Sequence, residues 1–84
     1  MHKVMIRFKD VVSGKSIEVQ LDDRLSFKDN FVILEEILDR DLKDDQVYDP
    51  HKKIFLDRNI PLSEFQFEGF IFLHLFHSAV DFKV

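Results

Sequence analysis

Length, composition and charge limit the classes of protein to which this chain can belong. It has 84 residues, a size typical of one domain, and 45% of them are hydrophobic, including ten Phe that can fill a small core. Its net charge of −4 and the absence of any apolar run longer than four residues lead us to expect neither nucleic-acid binding nor membrane insertion. Cys is absent, which excludes disulfides and favours the reducing cytoplasm.

The first two segments have the pattern of paired strands. Both carry apolar residues at every second position, namely Val4, Ile6 and Phe8, then Ile17, Val19 and Leu21. This period of two predicts strands with one buried face. Ser13-Gly14-Lys15 lies between them, and Gly supplies the positive φ that a hairpin turn needs. The sequence therefore predicts an antiparallel hairpin with one solvated face.

An amphipathic helix of about three to four turns is predicted next. Ser26 is a suitable N-cap, and the negative charge of Asp29 suits the first turn. Apolar residues then recur at helical spacing, namely Phe27, Phe31, Leu34 and Leu38, with Ile37 beside them. Residues 39–45 are rich in Asp but lack the Gly and the closing Glu of a calcium-binding EF-hand loop, so we expect a solvated connector there.

The second half of the chain contains shorter elements. We predict two short strands, one helical turn and a final long strand, at residues 46–48, 54–56, 61–65 and 70–76. Leu62 and Phe65 point inward from the helical turn. The order strand, strand, helix, strand, short strand, strand predicts an α+β fold in which one helix covers one face of a mixed sheet of four to five strands. This is the β-grasp arrangement.

Two stretches near the end of the chain carry a family resemblance. Leu62-Ser63-Glu64-Phe65-Gln66-Phe67, followed at a fixed distance by Leu73-His74-Leu75, resembles the ubiquitin-like proteins. The resemblance extends over nearly all of residues 1–76, so we expect a ubiquitin-like domain at 1–76 and a C-terminal tail at 77–84 that can add a strand. It implies a protein-binding module and not a catalyst.

A narrower resemblance concerns the middle of the chain. Val47-Tyr48-Asp49, the charged turn after it and Ile54-Phe55-Leu56 are similar to the small bacterial ubiquitin-like proteins of the YukD and EsaB kind. Those proteins accompany type VII secretion in Gram-positive bacteria. The resemblance implies a cytoplasmic accessory or regulator of that process, with a component of the membrane secretion machinery as its partner.

The C-terminus departs from the pattern of conjugated relatives. Ubiquitin-like modifiers and sulfur carriers end in Gly-Gly, whereas Gly14 and Gly69 are the only glycines here and the sequence ends Val80-Asp81-Phe82-Lys83-Val84. We therefore do not expect the chain to be a modifier or a sulfur carrier, unless a larger precursor is trimmed.

The final strand provides the candidate interaction surface. If Ile71, Leu73 and Leu75 face the helix, the alternate residues Phe70, Phe72, His74 and Phe76 face outward. Ubiquitin-like modules use this open sheet face to bind partners, and His74 stands where their binding face carries a His. Contiguous exposed apolar patches often mark interfaces. We expect the same surface to include Met5, Tyr48 and Phe82.

The tail offers an alternative occupant for that surface. Val80, Phe82 and Val84 alternate with polar residues, so residues 78–84 can fold back over the outward row or add a strand to the edge of a neighbouring copy. A protein partner, a homodimer and coverage by the chain's own tail remain open alternatives at this level.

The polar residues do not form a recognisable catalytic or metal-binding motif. His74 and His77 lie three apart, which on a strand places them on opposite faces, and His2 and His51 lie in a terminus and a turn. No Ser lies in a Gly-x-Ser-x-Gly elbow, and two isolated Gly cannot build a phosphate-binding loop. We expect no catalytic residue, no metal site and no cofactor.

Overall fold

Five strands, one α-helix and one 3₁₀ turn follow one another through residues 2–77, the part of the chain that this computed structural model describes. The strands are β1 (Lys3–Asp10), β2 (Ser16–Asp22), β3 (Asp45–Asp49), β4 (Ile54–Leu56) and β5 (Phe72–His77). The helix α1 is Phe27–Leu38, and the 3₁₀ turn is Leu62–Phe65. The predicted order and type of these elements are confirmed.

The strands form one mixed sheet in the order β2-β1-β5-β3-β4. β1 and β5 run parallel, and the other neighbouring pairs are antiparallel. The first and last described strands are thus neighbours in the middle of the sheet, and β2 and β4 form its edges. This is the predicted α+β β-grasp arrangement.

Local chemistry sets the bounds of the hairpin and the helix as expected. Gly14 adopts φ +81° in the turn between β1 and β2, and its N–H donates to the Asp10 carbonyl at 2.7 Å. At the start of α1, the Ser26 hydroxyl accepts a hydrogen bond from the Asp29 N–H at 3.1 Å. The helix ends at Leu38, and the cap residue after it, Asp39, is left-handed (φ 56°) and donates its N–H to the Glu35 carbonyl at 2.8 Å.

The core lies between α1 and one face of the sheet. It combines the inward residues of every strand with one side of the helix and the 3₁₀ turn, namely Ile6, Phe8, Val19, Leu21, Phe27, Phe31, Leu34, Leu38, Leu42, Val47, Leu56, Leu62, Ile71, Leu73 and Leu75. Phe8 and Phe27 meet edge to face with ring centroids 6.3 Å apart. Leu62 is buried and Phe65 packs against this core, as predicted for the helical turn.

The prediction of a solvated connector after the helix is confirmed for four exposed residues, Asp39, Asp41, Lys43 and Asp44, but is wrong for Leu42 and Asp45. Leu42 is fully buried, and the Glu35 carboxylate accepts a hydrogen bond from its backbone N–H at 2.9 Å. Asp45 is fully buried as well and is already the first residue of β3. The segment turns inward because Leu42 completes the core beneath α1, and because Arg40 neutralises the buried carboxylate of Asp45.

The final strand begins later than predicted. Residues 70 and 71 precede β5, although the Ile71 carbonyl already accepts a hydrogen bond from the Arg7 N–H at 3.0 Å. Gly69, with φ +67°, turns the chain immediately before this approach. The strand continues one residue past Phe76, to His77. The expected coverage or strand addition by the tail concerns residues 78–84, which lie outside the described residues.

Candidate protein-interaction surface

The side chains of β5, and of Ile71 immediately before it, alternate between the two faces of the sheet as predicted. Ile71, Leu73 and Leu75 are at most 8% exposed and face the helix. Phe72, His74 and Phe76 lie on the opposite face and are half-buried. Since the sheet buries only one of its faces against α1, this second set lies on the open side.

Aromatic side chains from three neighbouring strands meet on that side. We call them the outer aromatic face: Tyr48 of β3, Phe55 of β4, and Phe72, His74 and Phe76 of β5. Their ring centroids form a continuous series of contacts between 4.9 and 6.3 Å. Rings at such distances attract one another in tilted and edge-to-face geometries. The side chains therefore support one another on the sheet surface.

Strand register brings these rings together. Tyr48 pairs with His74 across β3 and β5, and with Phe55 across β3 and β4. Paired residues of adjacent strands have their Cβ atoms about 4.5–5.5 Å apart. Tyr48 is consequently the centre of the outer aromatic face, with contacts to His74, Phe55 and Phe76.

Phe55 is the member that the sequence-based site prediction missed. Its side chain is 60% exposed, the largest value within the outer aromatic face. Its position follows from Leu56, which is 7% exposed and fills the core, because neighbours in a strand point to opposite faces. In the sequence, an inward Leu56 would have indicated an outward Phe55. A strand of three residues is too short, however, for the alternation of apolar and polar residues to be recognised.

The other predicted site residues lie at the margin or beyond the described chain. Phe70 is 70% exposed and precedes β5, where the Arg7 guanidinium lies 5.5 Å from its ring centroid, within cation–π range. Met5 is 48% exposed and lies on β1, two residues before Arg7 on the same face. Phe82 lies outside the described residues.

A groove borders the outer aromatic face at its Phe72 end. Its volume is about 870 Å³. Residues of the turn after β3 and of the segment before β5 line it, among them Pro50, His51, Lys52, Phe67, Phe70 and Phe72. The groove thus extends the exposed aromatic surface around the end of the sheet, and its charged lining residues are of both signs, Lys52 with Asp49 and Glu68.

The rim of this surface carries positive charge although the whole chain is acidic. Arg7 and Lys9 of β1 pair with Phe72 and His74 of β5, so both basic residues stand beside the rings. Arg7 also lies 3.7 Å from Glu18, with both side chains 47% exposed, a contact worth little in water. On the groove side Lys52 is accompanied by Asp49 and Glu68, so the positive charge is confined to the β1 side. The surface therefore suits a partner that offers apolar side chains together with carboxylates.

A buried ion cluster ties together the two strands that flank β5. The Arg40 guanidinium donates to both carboxylate oxygens of Asp10 at 2.6 and 3.1 Å, and to both of Asp45 at 2.7 and 2.9 Å. Asp10 ends β1 and Asp45 begins β3, and both carboxylates are fully buried. Such bidentate contacts fix geometry as well as charge. Arg40 thereby holds the strands that position the outer aromatic face.

The cluster changes the acid–base behaviour of its members. Burial alone would raise the pKa of Asp10, but hydrogen bonds from Arg40 and from the Ser13 hydroxyl outweigh it and lower that pKa below the usual value. Hydrogen bonds to Asp45 and Asp10 raise the pKa of Arg40, so it stays charged. The His77 Nδ1 lies 3.4 Å from Asp45 at the solvent side of the cluster.

Within residues 2–77, no three His, Asp or Glu side chains converge in a way that could hold a metal ion. Two Ser hydroxyls have structural partners, since Ser26 caps α1 and Ser13 donates to Asp10 at 2.8 Å. The described part of the chain also contains no helix of the length and apolarity required to cross a membrane.

Comparison with solved structures identifies the fold. A designed protein based on ubiquitin superposes with a TM-score of 0.76 at 13% identity, covering 99% of this chain and 98% of that one. The ubiquitin-like domain of an Arabidopsis thaliana protein, solved by solution NMR, gives a TM-score of 0.75 at 18% identity, covering 95% of this chain and 82% of that one. No protein-family model and no curated protein sequence matches. The chain therefore has the ubiquitin-like β-grasp fold.

Proposed function

We propose that this chain, which has the ubiquitin-like fold, is a non-enzymatic protein-interaction module that is not itself conjugated. The outer aromatic face is its binding surface. A protein partner would place apolar side chains against Tyr48, Phe55 and Phe76, and carboxylates against the basic rim at Arg7 and Lys9.

The observation that carries this proposal is the contiguity of the exposed rings. Phe55 is 60% exposed, and its ring centroid lies 6.2 Å from that of Phe76 and 4.9 Å from that of Tyr48. The aromatic surface therefore extends across three strands without interruption. Aromatic side chains are enriched at binding hot spots because they bury a large area at a small cost in conformational entropy. Single exposed apolar residues are ordinary on protein surfaces, whereas a connected group favours an interface.

We further propose a process for this module: it is a cytoplasmic accessory or regulator of type VII secretion in a Gram-positive bacterium. The support is the resemblance of Val47-Tyr48-Asp49 and Ile54-Phe55-Leu56 to the YukD and EsaB proteins. The absence of Cys favours a reducing compartment. The proposed partner is a component of the membrane secretion machinery, bound from the cytoplasmic side.

Lack of conjugation is proposed on chemical grounds. Enzymes that activate ubiquitin-like proteins act on a Gly-Gly pair, and the two glycines of this sequence, Gly14 and Gly69, are far apart. Incubation with an adenylating enzyme and ATP, followed by intact mass measurement, should leave the mass unchanged. An adenylate or thioester adduct would revive the modifier or sulfur-carrier alternative.

Affinity capture from a Gram-positive lysate tests the module and its process together. We expect the wild-type chain to retain a secretion ATPase or its associated proteins, and Phe76→Ser to lose them. Val32→Ser is the matched control, because Val32 is 68% exposed on α1, on the other side of the sheet. Retention of unrelated proteins alone would contradict the secretion assignment, and equal capture by Phe76→Ser would contradict the binding surface.

A further inference from the structure

The free edge of the sheet at β2 is a second surface with a defined chemistry. Within residues 2–77, β2 pairs only with β1. The Asp10 N–H donates to the Lys15 carbonyl, and the Asp23 N–H donates to the His2 carbonyl. These two bonds at the ends of the pair determine which residues of β2 direct their backbone N–H and C=O groups toward β1. By this alternation, the backbone groups of Ser16, Glu18 and Gln20 point away from the sheet.

One end of this edge is already closed. The Asn30 side chain, 1% exposed, accepts a hydrogen bond from the Asp22 N–H at 3.3 Å and donates to the Asp22 carbonyl at 3.1 Å. The Asn30 side chain thus satisfies the backbone N–H and C=O of Asp22, as a neighbouring strand would. The stretch from Ser16 to Gln20 keeps the row of backbone donors and acceptors that another strand can pair with.

An apolar shelf flanks the open stretch. Ile33 and Ile37 of α1 are 43% and 47% exposed. They follow Asn30 by three and seven positions, which places them on the side of the helix that faces β2. Ile17 of β2 packs against the core but is only partly buried. A strand added to β2 would therefore have an apolar surface on its helix side and solvent on the other.

We propose that this edge and shelf bind residues 80–84 of a second copy of the chain, as an added antiparallel strand. The inference is independent of the proposed function, because it uses another surface. The sequence Val80-Asp81-Phe82-Lys83-Val84 alternates apolar and charged residues with the period of two that the site requires. With Lys83 opposite Glu18, Phe82 lies beside Val19 and Val84 beside Ile17, and both face the shelf.

The occupant is a second copy because the chain's own tail cannot reach. In this register Val80 lies opposite Leu21, which pairs with Val4, whereas β5 ends near Asp10 at the other end of β1. Val4 and Asp10 are six residues apart along β1, which corresponds to about 20 Å. The link from His77 to Val80 spans at most about 11 Å. A second molecule meets no such limit, and reciprocal exchange of two tails closes a symmetric dimer.

Sedimentation velocity of the full chain over a range of concentrations tests the proposal. We expect a monomer–dimer equilibrium whose dissociation constant rises at least about tenfold in Ile37→Lys and in Phe82→Ser. Val32→Lys is the matched control, because Val32 is an exposed aliphatic residue of α1 away from the β2 side, and it should dimerise as the wild type does. Deletion of residues 78–84 should give a monomer.

Cysteine pairing supplies a second readout, which reports the strand register directly, and the chain has no natural Cys to compete with the introduced thiols. A mixture of Glu18→Cys and Lys83→Cys chains should form a mixed disulfide under mild oxidation, because paired strand residues lie within disulfide range. Glu36→Cys, exposed on α1, is the control and should cross-link poorly to Lys83→Cys. A monomer at all concentrations, a dimer that survives the deletion, or equal cross-linking at positions 18 and 36 would overturn the proposal.

Discussion

Tyr48 and Phe55 face each other across the antiparallel pair of β3 and β4, with ring centroids 4.9 Å apart and planes inclined by 58°. This pair extends the aromatic surface from β5 to the edge strand β4. The residues next to them in the sequence, Val47 before Tyr48 and Leu56 after Phe55, point to the opposite face of the sheet and fill the core. Two adjacent residues of β4 thus lie on opposite faces of the sheet, Leu56 in the core and Phe55 on the surface that we propose for binding.

That division can be measured by substituting the two neighbours. Phe55→Ser should change the free energy of unfolding by less than about 1 kcal/mol, because the side chain is mostly exposed. Leu56→Ala should cost about 2–5 kcal/mol, because it leaves a cavity in the core. Urea unfolding followed by circular dichroism gives both values. Equal losses would show that Phe55 is a core residue and not part of a free surface.

The ion cluster predicts a large effect for one arginine and a small effect for another. Arg40→Met leaves the buried carboxylates of Asp10 and Asp45 without their cation, and we expect a loss of about 3–5 kcal/mol. Arg24→Gln is the control, because Arg24 pairs with Asp22 at the surface with 64% of its side chain exposed, and it should cost less than about 1 kcal/mol. Similar losses in the two variants would contradict a structural role for the cluster.

The lowered pKa of Asp10 predicts how stability depends on pH. Its folded pKa lies below the unfolded value of about 3.9, so the unfolded chain binds more protons in acid. The contribution of Asp10 is therefore present above about pH 4 and is lost as the pH falls through the folded pKa. Denaturant unfolding at several pH values should show this loss. The Asp10→Asn variant should be less stable than the wild type at neutral pH, and its free energy of unfolding should depend less on pH in acid. If Asp10→Asn lost stability below about pH 4 as steeply as the wild type does, Asp10 would not be the source of that loss.

The helix cap predicts a moderate loss of stability. Ser26→Ala removes the acceptor of the Asp29 N–H and should cost about 1 kcal/mol. Ser63→Ala, at an exposed residue of the 3₁₀ turn, is the comparison and should stay within about 0.5 kcal/mol of the wild type. Thermal unfolding of both variants checks the difference, and a Ser63→Ala effect as large as that of Ser26→Ala would argue against capping as the cause.

Alternation and capping explain why much of the fold could be predicted from the sequence. The inward set Ile71, Leu73 and Leu75 is buried as expected, and the outward set Phe72, His74 and Phe76 lies on the open face. The N-cap at Ser26 and the turn at Gly14 follow from residue chemistry that acts over a few positions. These signals are local, so they do not depend on tertiary contacts.

The features that sequence reasoning missed depend on contacts between distant residues. Arg40 and Asp10 are thirty positions apart, and nothing in the Asp-rich connector distinguishes a buried carboxylate from a solvated one. Leu42 is a single apolar residue among charges, with no period to mark it as core. Phe55 joins the surface only because β4 is placed beside β3.

Site-specific photo-crosslinking in living cells tests the binding surface most directly. A photoreactive phenylalanine analogue is placed at position 55, in the outer aromatic face, or at position 32, on the exposed side of α1. We expect position 55 to give a discrete protein adduct that excess chain without the analogue suppresses, and position 32 to give none. Adducts from position 32 alone, or none from position 55, would contradict a partner bound through the outer aromatic face.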